Sequence, residues 1–106
     1  MSEKNLAEIF GANARLDNGV LIIDFSKDFG ITPNTAEQCL AALMWKLNTD
    51  YSQAALGIES DSGLIVFYQG HFSSTNLATN IQENFDRFEV TFRKATQVTS
   101  FNPSNY

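Results

Sequence analysis

Apolar residues near the start of the chain fall at Leu6, Ile9 and Phe10. That i, i+3, i+4 spacing predicts a short helix over residues 2–12. Ser2 and Asn5 are its candidate caps, and Gly11 is its stop. Arg15-Leu16-Asp17 and the run Val20-Leu21-Ile22-Ile23-Asp24-Phe25 then flank Asn18-Gly19. Asn-Gly between apolar runs predicts a hairpin, because both central positions of a type I′ turn need positive φ. The continuous β-branched start of the returning strand predicts burial on both faces. Ser26 to Ile31 reads as polar loop.

A second helix is expected from about Pro33 to Leu47 or Asn48. Thr32 is one candidate cap, with Pro33 in the first helical position. Thr35 with Gln38 is an alternative capping box. Ala55 to Glu59 and Leu64 to Phe72 read as strands around the turn Ser60-Asp61-Ser62-Gly63, a second hairpin. Leu77, Ile81, Phe85, Phe88, Phe92 and Ala95 then recur at helical spacing. Glu83 with Arg87, and Glu89 with Arg93, stand at i, i+4 with the acid first. Phe88-Glu89-Val90-Thr91-Phe92 alternates as a strand would. The helical period covers far more of the segment, so a long final helix is expected. The order is α-β-β-α-β-β-α. The expected fold is α+β, an antiparallel sheet of two hairpins with helices packed on it. One domain is expected over 1–96, followed by a polar tail over 97–106.

The middle helix changes the picture. Between Ala36 and Leu47 only Glu37, Gln38 and Lys46 are polar, so the apolar surface runs most of the way round. A helix lying on a sheet needs one apolar face. The second face is covered either by neighbouring helices or by a second subunit. Met44 and Trp45 beside Ala41 and Ala42 suit a self-complementary two-fold contact. Leu64-Ile65-Val66-Phe67-Tyr68 is likewise apolar on both faces.

Composition narrows the functional classes. The chain has 106 residues, 43% hydrophobic and 18% charged, as expected of a globular domain. Seven Lys and Arg against twelve Asp and Glu give a formal charge of −5. An acidic chain is a poor match for nucleic acid or an anionic membrane surface, so neither is an expected partner. No apolar run is long enough for a membrane span, and the acidic N-terminus does not read as a signal peptide. A lone cysteine, Cys39, fits a reducing cytoplasm.

Candidate chemistry is sparse. Cys39 lies among Leu40, Leu43 and Met44, where a thiol behaves as a small hydrophobe. The single histidine, His71, is a candidate base or pH sensor, but it ends a strand and shows no triad spacing. Asp24 with Asp28, and Glu59 with Asp61, are acid pairs of the kind used in hydrolases and metal sites. They also stand where turns and strand ends favour polar residues. The glycines form no phosphate-cradling motif. Catalysis, cofactors and metals are not expected. An apolar pocket between sheet and helices, lined by Phe25, Phe67 and Phe72, is the alternative, implying a small-molecule sensor.

The stretch from Leu40 to Lys94 carries a resemblance. A leucine-rich helix ends in Leu47-Asn48. Ala55-Leu56-Gly57-Ile58-Glu59-Ser60-Asp61-Ser62-Gly63-Leu64-Ile65-Val66-Phe67 follows, then a polar crossover and an amphipathic segment. This pattern resembles the type III secretion chaperones and the bacterial sensory-transduction-regulator-like proteins that share their fold. The resemblance implies an acidic, non-enzymatic cytoplasmic homodimer that holds an extended segment of a partner protein. It implies a dimer contact at Leu40, Met44, Trp45, Ile65 and Phe67. It implies partner contact at Leu6, Ile9, Phe10, Leu21 and Ile23, by strand addition. The chain departs from the family between Phe25 and Thr32, where there is no room for the usual third strand.

Overall fold

The computed structural model describes residues 5–53, 57, 63–93 and 100–105. The class is α+β, as expected. The described residues form three helices and two antiparallel two-stranded sheets. Helix α1 (Leu6–Phe10) starts at Asn5, whose side chain accepts from the Glu8 N–H at 2.9 Å. It stops at Gly11, where φ is 104°. Strands β1 (Arg15–Asp17) and β2 (Val20–Ile22) flank Asn18 and Gly19, with φ of 47° and 80°. Both angles are positive, as the type I′ turn requires. Leu16 and Leu21 are paired, as are Asp17 and Val20. Every residue of the two strands is exposed, contrary to the expected burial. The β-branched run satisfies strand propensity here without a covering layer.

The polar loop after β2 contains a one-turn helix, α2 (Phe25–Asp28), capped by Asp24. Helix α3 (Ala36–Tyr51) starts later than Pro33 and ends later than Asn48. Thr35 caps it, rather than Thr32. Its hydroxyl accepts from the Gln38 N–H at 3.1 Å, and the Gln38 side chain accepts from the Asn34 N–H at 2.7 Å. That exchange satisfies one of the free donors at the helix start.

The largest departure follows. Strand β3 (Leu64–Asn76) pairs along its length with strand β4 (Ile81–Phe92). The expected final helix is therefore a strand, and the two hairpins form separate sheets rather than one. The turn between the strands uses Asn76, whose side-chain oxygen accepts from the Ala78 N–H, and Asn80, which takes φ of 58°. The expected strand Ala55–Glu59 lies, apart from Gly57, outside the described residues. The element order is α-β-β-α-α-β-β, closed by a short 3-10 turn at Pro103–Asn105.

The core lies between α3 and the base of the β3–β4 ribbon. Leu47, Tyr51, Leu64 and Val66 are buried, and Ile9, Met44 and Phe88 pack against them. Among the described residues Val66 alone has a wholly enclosed side chain, at 0% exposure. Helix α1 is tied to α3 through one carbonyl: Glu8 O accepts from Lys46 Nζ at 2.8 Å and from the Tyr51 hydroxyl at 3.1 Å. The radius of gyration is 16.4 Å, against about 13 Å for a compact chain of this length. The long axis of 47 Å is close to the roughly 43 Å of a thirteen-residue strand. The ribbon thus runs well beyond the helix that covers its base.

Candidate functional site

Alternation along β3 and β4 sorts the ribbon into two faces. Leu64, Val66 and Tyr68, with Phe92, Val90 and Phe88 opposite, share the α3 side. Helix α3 packs on β3, so Val90 and Phe92 on the same side of β4 stay exposed. Ile65 and Phe67, with Thr91 and Glu89 opposite, line a shallow depression of about 200 Å³ on the other face. The register shifts between Tyr68 and Gly70, leaving Gln69 as the extra residue of a bulge. Past it, His71 and Asp86 continue the α3 side. Phe72 and Phe85, with the Arg87 guanidinium 5.2 Å above the Phe72 ring, continue the other.

Polar chemistry gathers at the bulge. Asp86 Oδ1 accepts from the Tyr68 hydroxyl at 2.6 Å and lies 2.9 Å from His71 Nδ1. These bonds, the Tyr68 one first, hold the Asp86 carboxyl below the usual carboxylate range. The same bond raises the Tyr68 hydroxyl, because its neutral form is the donor. Beside them Trp45 meets Tyr68 edge-on at 5.4 Å and Phe88 at 6.4 Å, while Tyr68 and Phe88 lie 5.0 Å apart. All of these groups are open to solvent or half-buried. A carboxylate held ionised by two donors on an open face has the features of a strand-to-strand clasp.

Of the other chemical candidates, Asp24 and Asp28 have structural roles. Asp24 caps α2, accepting from the Lys27 N–H and the Ser26 hydroxyl, which lowers its carboxyl. Asp28 accepts from both the backbone and side-chain N–H groups of Asn13. The two acids are thus bound to different partners rather than paired. Glu59 and Asp61 lie outside the described residues. Cys39 is half-buried on α3. No group of three or more metal-ligating side chains occurs among the described residues. Phe25 packs on Phe29 at 5.1 Å, Phe67 lines the shallow depression, and Phe72 stands farther out beside Phe85.

The residues expected at a dimer contact divide between two surfaces. Leu40 and Trp45 of α3 are 57% and 55% exposed, with Trp45 against the rings of Tyr68 and Phe88. Met44 turns inward against the core. Ile65 and Phe67 are on the opposite face of the ribbon. The five therefore do not form one patch within a chain. Of the expected partner contacts, Ile9 packs against the core, Leu6, Phe10 and Ile23 are half-buried, and Leu21 is exposed on β2.

Sequence reasoning missed Asp86 and the distal ribbon. The helical pairs Glu83–Arg87 and Glu89–Arg93 gave Asp86 no role. In the strand, Glu83 instead accepts from the Asn76 side chain and Glu89 from Gln69, while Arg87 lies over Phe72. The signal available was Asn76 and Asn80 around Leu77-Ala78-Thr79, two turn-forming residues at turn spacing. No helix of the described residues is long and apolar enough to cross a membrane. No family model, curated protein or solved structure matches the chain.

Proposed function

We propose that this chain is a non-enzymatic, cytoplasmic protein-binding module that acts as a homodimer and holds an extended segment of a partner protein, in the manner of a secretion chaperone. One observation carries the reading. Among the described residues four hydrophobics are buried, whereas fourteen large ones are exposed, most of them on α3 and on the two ribbons. A monomeric soluble domain rarely leaves so much apolar surface without a use for it. The β1–β2 ribbon fits the partner segment: it is short, its edges are open among the described residues, and Leu16, Val20, Leu21 and Ile22 are exposed on its two faces. Strand addition there supplies backbone hydrogen bonds, with alternate side chains giving selectivity. The net charge of −5 favours segments carrying Lys or Arg.

The test uses a reduced, alkylated, permanently unfolded protein as the probe. Amide exchange over residues 15–22 is followed with and without it. Slowed exchange in that ribbon, absent when the probe is a folded protein, is the expected result. Unchanged exchange there, with no complex on a sizing column, overturns the reading.

A further inference from the structure

The free edge of β4 has a self-complementary pattern. The only hydrogen-bonded neighbour of β4 among the described residues is β3. The outer side of β3 is blocked at its base, where Asn48 of α3 accepts from the Tyr68 N–H at 2.9 Å. Among the described residues nothing comparable guards β4, whose twelve residues contain no proline and no bulge. An unguarded edge of that length is a template for another strand.

Backbone direction fixes which groups it offers. The Arg93 N–H donates to Gly63 O, so odd-numbered residues of β4 face β3. Gln82, Asn84, Asp86 and Phe88 therefore point their N–H and C=O groups outward. A two-fold axis normal to the sheet pairs antiparallel strands with matching faces. Self-pairing must then be centred on a residue. Centring on Asp86 or Arg87 sets like charges opposite each other, which opposes pairing. Centring on Phe88 sets Asp86 against Val90 and needs the end of β4 where Phe101 packs on Phe92 at 6.1 Å. Centring on Phe85 avoids both conflicts. Arg87 then faces Glu83 of the second copy twice over, and Asp86 faces Asn84.

We infer that β4 pairs antiparallel with β4 of a second copy of this chain, centred on Phe85, to make a continuous four-stranded sheet. The inference rests on the dimeric reading above and names its seam. On one face the exposed Phe85 ring meets its symmetry mate and each is flanked by the Phe72 of its own chain, forming an apolar row of four rings between two Arg87–Glu83 pairs. Aromatic neighbours and opposite charges are the cross-strand pairs that stabilise a sheet.

Molar mass by light scattering, across a concentration series, tests it with Arg87→Glu, Glu83→Arg, the double variant and a 1:1 mixture of the single variants. Wild type is expected near twice the chain mass of 11.8 kDa. Each single variant should weaken association tenfold or more while keeping its far-ultraviolet circular dichroism. The double variant and the mixture should recover it, because both restore opposite charges across the axis. Single variants as dimeric as wild type, or no recovery in the double variant, overturn the inference. A dimer split by Trp45→Glu but not by Arg87→Glu overturns the β4 seam alone. A monomeric wild type overturns the dimeric reading as well.

Discussion

The Tyr68 hydroxyl reaches Asp86 Oδ1 diagonally across the ribbon, 2.6 Å away, immediately beside the bulge. The bond ties the covered base of the ribbon to its open half. It favours ionised Asp86 and neutral Tyr68, so its stabilisation depends on pH in two windows. Asp86 is lowered from an ordinary value of 3.8, so its contribution is complete above that and is lost as pH falls below it. Tyr68 is raised from 10.0, so its contribution is complete below that and is lost as pH rises past it. Tyr68→Phe should melt below wild type between about pH 5 and 9, with the gap narrowing in both windows. Melting curves across pH check this, and a gap of constant size would contradict it.

Leu47 and Leu40 occupy the same helix with opposite surroundings. Leu47→Ala should cost about 2–5 kcal/mol, the usual range for emptying a buried leucine site. Leu40→Ala should change stability by less than about 0.5 kcal/mol in dilute protein, because the side chain is already in water. Urea midpoints of the two variants give the comparison.

Gly11 is constrained in two ways. Its φ of 104° disfavours any side chain, and a Cβ there would stand 2.5 Å from the Asp28 side chain. Gly30, at φ 67°, has open space around it. Gly30→Ala should cost about 1 kcal/mol from backbone strain alone. Gly11→Ala should cost at least about 2 kcal/mol, since it also displaces Asp28 from Asn13. Equal losses by thermal denaturation would show that the Asp28 contact is without effect.

Gly19→Ala should act locally. It strains the turn at φ 80°, where a Cβ would meet no neighbour. The β1–β2 ribbon holds none of the buried core residues. Amide exchange at Val20 and Leu21 should therefore quicken several-fold, while the main melting transition moves by no more than a degree or two.

Local signals were legible wherever a short motif decides the backbone. Asn5, Gly11, Asn18-Gly19 and Thr35 with Gln38 each act through neighbouring residues, and each is found in its role. The segment from Leu77 to Phe92 was misleading for a specific reason. Ile81 and Phe85 lie on one face of β4, whereas Phe88, Val90 and Phe92 lie on the other. A strand that changes its apolar face midway spaces its large residues almost as a helix does. Only pairing with the distant β3 distinguishes the two, and that pairing is long-range. The division of Met44 and Trp45 from Ile65 and Phe67 was hidden likewise. It depends on which side of the ribbon α3 covers, and apolar content does not reveal that.

The bulge at Gln69 has a mechanical consequence. Tyr68 opposite Phe88 and Gly70 opposite Arg87 would be consecutive pairs of a regular ladder if Gln69 were removed. Such a deletion preserves every cross-strand partner and every facing, and loses one side-chain bond, to Glu89. What it removes is the extra twist and bend that a bulge introduces. The ribbon is therefore one ladder chemically and two segments in direction. The angle at which its outer half leaves the helix is set by a single surplus residue, so that angle can be altered without touching the rings or charges it carries.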